Sequence, residues 1–394
     1  MTAPKSATAG RKLPRRRLVV WTAKLTLALF SAGLGLLVGE VALRIAGYGA
    51  IHDTYSKPEI FWAADPLLGW SHEAGSEGLY VGPRPWPIEY RTPVRINSLG
   101  LRGGELGEPP EGGLRVMLLG DSIVAGFEVP HEKTFAHLIG EGLTQELGRP
   151  SQTVNAGVRG YGTDQSLLYF RERGRRLEPD FVIFVHTAND PTDNTEIHQM
   201  RRPFGKPAFA LRDDGSLELV GAPVPRYPIC SDYRLTPQFE VSRRDGRAAR
   251  LACRLQMAVL DHSALASFAA LRIPWNADLL RNLYHLGRPA APEPTRSAAS
   301  TSPARELTHA LLRELAAEVE SAGAGFLVVA SHVKTLDLER LRADGIPLVT
   351  LEGVEGATHQ EIRFNNDSHF NEIGHRRVAE LLTRVVAQQI RDGE

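Results

Sequence analysis

Leu114-Arg115-Val116-Met117-Leu118-Leu119-Gly120-Asp121-Ser122-Ile123 is the stretch on which the fold turns. Its first six residues form a short apolar run closed by a turn signal, the pattern of a buried parallel strand. Gly120 permits a sharp turn that a Cβ would obstruct. A serine just past such a strand stands at the carboxyl end of an open α/β sheet, where ligands bind. Ser122 is therefore a candidate nucleophile. The competing reading is that it caps the helix that follows, a role serine favours.

Working outward, the strand candidates are Arg115–Leu119, Thr153–Val158, Phe181–His186, Gly325–Ser331 and Ile346–Leu351. They alternate with helix candidates Glu132–Leu147, Asp164–Leu177, Arg305–Ala322 and Asn371–Ile390. Five short apolar strands interleaved with helices predict an α/β fold with a doubly wound, five-stranded parallel sheet. In the last helix Val378, Leu381, Leu382, Val385 and Val386 recur at helical spacing, and His375 is expected on its exposed surface. Residues 195–304 are an insertion between the third and fourth strands. Within it, Lys206–Val224 alternates around Asp213-Asp214-Gly215-Ser216, a hairpin signal. Leu251–Leu271 is helical in character, and Arg288–Ala304 is a Pro/Ala/Ser/Thr-rich linker. The insertion should project near the active-site end of the sheet, as a lid or acceptor-binding element or as a surface elaboration.

Three further segments accompany Ser122: Asn155-Ala156-Gly157-Val158-Arg159-Gly160, Asn189-Asp190, and Asp367-Ser368-His369. Cleaving an ester by acyl transfer needs a nucleophile, a base, an orienter for the base, and donors for the oxyanion. Serine, glycine, asparagine and histidine, in that order after strand-like segments, resemble the SGNH (GDSL-type) hydrolases. The resemblance covers about residues 111–200 and 305–394 and implies a flavodoxin-like three-layer sandwich. It assigns Ser122 as nucleophile, His369 as base and Asp367 as orienter. The oxyanion donors it implies are the backbone N–H groups of Ser122 and Gly160 and the side-chain amide of Asn189. Asp121 and Asp190 would hold loops. Two departures stand out. Thr187 replaces the glycine of the family's Gly-x-Asn-Asp block. The acid and base are spaced Asp-x-His where many members have Asp-x-x-His, and Asn366, which carries no charge, occupies the position of that acid.

The N-terminus sets the expected location. Residues 1–24 hold seven of the 46 basic residues and no acid, leaving 39 basic against 46 acidic residues in the remainder, a net of −7. A mildly acidic body lacks the basic face of a nucleic-acid binder. Residues 1–17 are read as a cytoplasmic basic tail and residues 18–39 as a transmembrane helix. Twenty-two helical residues span roughly 33 Å, against a hydrocarbon core of roughly 30 Å. Positive residues before the span place the N-terminus in the cytoplasm and the catalytic domain on the far side of the cytoplasmic membrane. A cleaved signal peptide is the alternative. Residues 40–110 are an extended lead-in with short strands, and residues 111–394 the catalytic domain. The lead-in's Asn97-Ser98-Leu99-Gly100-Leu101-Arg102 looks like that of a membrane-anchored subgroup of the same superfamily.

Cys230 and Cys253 are either a disulfide suited to an oxidising compartment or two unpaired thiols. No metal-ligand spacing or phosphate-binding glycine loop is present, so neither metal nor cofactor is expected. The expected activity is a membrane-anchored extracytoplasmic serine esterase acting on O-acyl esters, above all O-acetyl esters of envelope glycans. The rivals are an O-acyltransferase working with a membrane acyl-carrier partner, a lipid or small-ester esterase, and a non-catalytic glycan-binding protein on a retired hydrolase fold.

Overall fold

A computed structural model describes residues 15–46, 62–82, 88–197, 205–224, 233–235, 241–243, 246–260, 262–272, 303–355 and 359–393. Its strands, in chain order, are β1 (Trp62–Asp65), β2 (Gly69–His72), β3 (Glu77–Gly82), β4 (Tyr90–Arg95), β5 (Leu114–Gly120), β6 (Ser151–Asn155), β7 (Phe181–His186), β8 (Ala208–Leu211), β9 (Leu217–Val220), β10 (Tyr233–Leu235), β11 (Val241–Arg243), β12 (Gly325–Ala330) and β13 (Leu348–Thr350). Five of them form one parallel sheet in the order β13-β12-β7-β5-β6. Counted along the chain this is 2-1-3-4-5, the doubly wound order of flavodoxin-like folds. The chain turns one way from β5 to β6 and the other way to β7. The crevice beyond the carboxyl ends of β5 and β7 is thus the topological switch point.

Side-chain alternation along the strands builds the three layers. Met117 and Leu119 of β5, Val182 and Phe184 of β7 and Val328 of β12 face one core with Leu167 and Phe170 of the helix Thr163–Glu172 and Leu311 and Leu315 of the helix Pro303–Ser321. Val116 and Leu118, Ile183 and Val185, and Leu327 and Val329 face the other core. There they meet Phe135 and Ile139 of the helix Phe135–Leu147 and Val378 and Leu382 of the helix Glu372–Gly393. The predicted strands and helices match these ranges to within a few residues. The strand expected over Thr153–Val158 instead ends at Asn155. The Asn155 amide donates to the Val124 carbonyl at 2.9 Å and its Oδ1 accepts from the Gly157 N–H at 3.1 Å, which bends the chain over the segment that follows β5.

His375 corrects an expectation. It is buried, 1% exposed, and its Nδ1 accepts from the Phe135 N–H at 3.1 Å. Burial lowers its pKa to about 3, so the ring is neutral and available as an acceptor. The helical period shows why: residue 375 lies three before Val378 and seven before Leu382, on the buried face.

The lead-in contributes to the first core through Trp62, Leu68, Trp70, Val94, Ile96 and Leu101. It forms two antiparallel hairpins, β1–β2 and β3–β4. Asn97 shapes the Asn-Ser-Leu-Gly-Leu-Arg segment: its Oδ1 accepts from the Leu99 and Leu101 N–H groups and its amide donates to the Gly104 carbonyl. That turn delivers Arg102 into the interior, where its guanidinium donates to the carbonyls of Ala125, Gly126 and Val129.

At the N-terminus a single helix runs over Arg15–Ile45. Its segment Val19–Ile45 is long and apolar enough to cross a membrane, with a mean hydropathy of 1.8 in its most apolar window and none of that window buried against the protein. A signal sequence near the N-terminus meets the same criteria of length and composition.

The insertion separates β7 from β12. Its expected hairpin is β8–β9, closed where Asp214 Oδ1 accepts from Ser216 N–H at 2.9 Å. The expected helix is two, Arg247–Leu260 and Ala264–Arg272. The break is a cap: Ser263 Oγ accepts from the Ala266 N–H at 3.0 Å. Most of the predicted linker over 288–304 lies outside the described residues. So does the Cys230–Cys253 pair, since Cys230 is not described and neither is the side chain of Cys253.

A buried ion pair ties the start of the insertion to the helix Thr163–Glu172: Lys206 Nζ meets Asp164 Oδ2, and both side chains are almost wholly enclosed. Burial raises the Asp164 pKa against the opposing pull of Lys206. Removing one partner strands the other charge, at a cost of about 3–5 kcal/mol. Lys206→Met should therefore lower the denaturation midpoint of the full chain at pH 7, and lower it less at a pH acidic enough to protonate Asp164. An equal loss at both pH values would refute that electrostatic account.

Candidate active site

β5 delivers Ser122 to the switch point. Gly120 has φ +148, and a Cβ there would lie 2.7 Å from Val124 Cγ2 and 3.0 Å from the Val185 carbonyl oxygen. Only glycine makes this turn against β7. The short helix Ser122–Ala125 is capped by Asp121, whose Oδ1 accepts from the Ile123 N–H at 2.8 Å. The cap is therefore the aspartate, and the Ser122 hydroxyl is left for another partner.

That partner is His369. Its Nε2 lies 2.9 Å from Ser122 Oγ. On the opposite side of the ring, Nδ1 meets Asp367 Oδ1, which also accepts from the His369 N–H at 3.0 Å. Asp367 Oδ2 accepts from the Tyr90 hydroxyl at 2.7 Å. Burial alone would raise the Asp367 pKa, but the His369 and Tyr90 hydrogen bonds outweigh it and hold the carboxyl well below its usual range. Burial pushes the Tyr90 hydroxyl far up, so it stays protonated and donates. Asn366 faces elsewhere: its N–H and its amide both donate to Glu89.

A second carboxylate, absent from the sequence reading, stands at the same imidazole. Glu128 is buried, pairs with Arg159 at 2.6 Å, and lies 3.5 Å from His369 Nδ1. Burial lowers the His369 pKa, but the Glu128 charge raises it; Arg159 opposes and Asp367 adds, so the net shift is upward. The available signal was a lone acid in the apolar run Ile123–Val129, six residues past Ser122. Glu128, Asp367 and His369 place three potential ligand atoms within 4.8 Å of one another. A cation there would compete with the Arg159 guanidinium for Glu128 and with the Asp367–His369 bond.

Gly160, with φ +79, follows β6 in the loop that carries Arg159. The buried Trp70 indole donates to the Arg159 carbonyl at 3.1 Å. Carbonyl and N–H point opposite ways across a trans peptide, so this bond sets the direction of the Gly160 N–H. The Tyr161 hydroxyl in turn donates to the Trp70 carbonyl at 2.6 Å. A lead-in residue thus orients a loop of the sheet from 89 positions away.

Asn189 sits just past β7 and is exposed. Its amide donates to Asp193 Oδ2 at 2.6 Å and lies 3.4 Å from Asp121 Oδ2. Both donors thus face carboxylates. Thr187 fills the place of the family's glycine and acts as the hub of this loop. Its N–H donates to Asp190 Oδ2, and its hydroxyl lies 2.9 Å from both Asp121 Oδ2 and Asn189 Oδ1. Burial, with the nearby Asp121 charge, raises the Asp190 pKa well above the usual carboxylate value, and burial raises Asp193 to about 7.

The GDSL-like lipase/acylhydrolase family model matches residues 118–377, well over half of the chain. The chain belongs to this family. It is accordingly an ester-hydrolysing enzyme. The matched span runs from the end of β5, before Ser122, to beyond His369. Comparison with curated proteins yields no match. Similar solved structures include a GDSL-like lipase from Bacteroides thetaiotaomicron, 11% identical, covering 72% of this chain and 93% of its own at a TM-score of 0.33. An acetyl-xylooligosaccharide esterase from Geobacillus is 12% identical, covering 71% and 94% at 0.35. A lipase/acylhydrolase from Enterococcus faecalis is 13% identical, covering 70% and 96% at 0.35.

Proposed function

We propose that this GDSL-family enzyme is a membrane-tethered serine esterase that removes O-acyl groups, chiefly O-acetyl groups, from envelope glycans outside the cytoplasmic membrane. The observation that carries the mechanism is the Ser122 Oγ–His369 Nε2 contact of 2.9 Å with Asp367 on the opposite ring nitrogen. Ser122 Oγ attacks the ester carbonyl carbon and His369 Nε2 takes its proton. Asp367 fixes the tautomer and balances the imidazolium, with Glu128 close by as a second negative charge. The tetrahedral oxyanion is received by the N–H groups of Ser122 and Gly160, and by the Asn189 amide once it exchanges one of its carboxylate partners. The sugar hydroxyl leaves with the proton from His369. Water, deprotonated by the same nitrogen, then cleaves the acyl-enzyme.

The substrate class follows from location. An uncleaved helix over Arg15–Ile45, led by Arg15-Arg16-Arg17, holds the domain against the envelope face, and a tether raises the local concentration of enzyme there. Incubating the full-length enzyme with acetylated and chemically deacetylated envelope polysaccharide tests the reading. Serine-dependent acetate release from the first alone supports it. In a mixture of the two, acetyl transfer from the acetylated to the deacetylated glycan without free acetate would replace hydrolysis by acyltransfer.

The pH profile offers a separate check. His369 works as a base only when neutral, so kcat/KM should rise with pH through its raised pKa and then level off. Glu128→Gln removes a charge that favours the imidazolium and leaves Arg159, which disfavours it. The acidic limb should move to lower pH. A limb that stays in place would show that Glu128 does not act on the base.

A further inference from the structure

We propose that the helix Arg247–Leu260 of the insertion lies in the headgroup layer of an anionic bilayer, the same bilayer that the N-terminal helix crosses. The proposal rests on the anchor reading above and extends it from one attachment to two.

Among the described residues, the helix carries an uncovered apolar face. Leu251, Leu255 and Val259 are 60%, 61% and 55% exposed, and their four-residue spacing sets them on one side of the helix. Ala248 and Ala258 are exposed on the same arc. Arg247, Arg250 and Arg254 follow one another along one edge of that face, and the helix contains no acid. An apolar face edged by arginines is the pattern of a helix lying in a membrane interface. The aliphatic stems of the exposed Arg247 and Arg254 run along the apolar layer while their heads reach anionic headgroups. A protein partner would need acids to meet the same edge and a large apolar patch besides; one lipid surface supplies both.

Continuity with the anchor sets the depth. The next helix, Ala264–Arg272, is docked to the end of the N-terminal helix. Glu40 accepts from the Ser263 hydroxyl at 2.8 Å and from the Ala264 and Leu265 N–H groups at 2.9 Å each. Arg44 pairs with Glu40 at 2.7 Å and donates to the His262 carbonyl at 3.0 Å. Glu40 is the first acid of the span and follows Leu18 by 22 residues, so it reaches the far boundary of a hydrocarbon core of roughly 30 Å. The helix Arg247–Leu260 ends two residues before His262, so its C-terminal end lies at headgroup depth. A span and a surface helix together restrict how the catalytic domain tilts over the membrane, which a span alone does not.

The test uses the full-length protein in vesicles of phosphatidylcholine and phosphatidylglycerol, with plain or brominated acyl chains. Leu255→Trp places a probe on the apolar face, and Glu320→Trp places one on the exposed surface of the helix Pro303–Ser321. Fluorescence is read as the difference from the wild-type chain, and retained esterase activity shows that each variant is folded. Bromolipid should quench the residue-255 probe at least about twofold more than the residue-320 probe, as an interfacially buried apolar face requires. Alkaline carbonate washing of the wild-type vesicles separates the two readings. Release of the protein would overturn the anchor and this proposal together. Retention with an unquenched residue-255 probe would overturn this proposal alone, whether a second copy or another part of the chain covers the face.

Discussion

Ser122→Ala should abolish turnover of a short activated acetyl ester, lowering kcat by about 10⁴- to 10⁶-fold, the range expected when a nucleophile that acts as a unit with its base is removed. The variant should fold normally, because the helix that begins at Ser122 is capped by Asp121 and the serine hydroxyl bonds only to His369 among the described residues. What remains is an oxyanion site without a nucleophile. The measurement is a steady-state assay beside far-UV circular dichroism of both proteins. Turnover within tenfold of wild type, in a folded variant, would remove Ser122 from the mechanism and with it the acyl-enzyme.

Asp367→Asn should lower kcat by about 10³- to 10⁴-fold with little change in KM, the range seen when a base keeps its position but loses the correct tautomer. Here the carboxylate has three donors: the His369 ring, the His369 N–H and the Tyr90 hydroxyl. An amide of the same shape has one acceptor oxygen for these three donors and turns its N–H₂ group toward at least one of them. The imidazolium formed in the transition state loses its nearest counter-charge. Asn366→Ala is the matched control, because the family's wider spacing would put the acid at that position. Asn366 bonds to Glu89, away from the imidazole, so its removal should leave kcat within about twofold, the small effect of an exposed polar side chain outside the network. If Asn366→Ala were the more damaging change, the assignment of the orienter would be wrong.

Much of this was legible in the chain itself. The apolar runs of β5, β7 and β12 are continuous because both faces of a parallel sheet are covered, and the helix Glu372–Gly393 repeats its apolar residues at helical spacing. Ser122 could be picked out because it sits at the end of such a run, and Asp367 and His369 because they form a short segment with its own chemistry just before the last helix. These signals are local: backbone geometry repeats every two or 3.6 residues, and a turn residue acts within its own turn.

The supports of the site are of another kind. Tyr90 reaches Asp367 across 277 positions, Trp70 reaches the Arg159 carbonyl across 89, and Arg102 fills the space beneath the helix Ser122–Ala125 from the lead-in. Glu128 meets His369 only because β5 and the C-terminal helix are brought to the same end of the sheet. His375 has its donor on a different helix. The sequence alone determined the strands and helices of the sheet, since these follow from neighbours within a few residues, and its resemblance to a family marked the candidate reacting groups. Only the tertiary structure decided which distant side chains hold those groups. A hydrogen bond between remote residues leaves no periodic trace in either segment, and its geometry exists only once the cores on both faces of the sheet have closed.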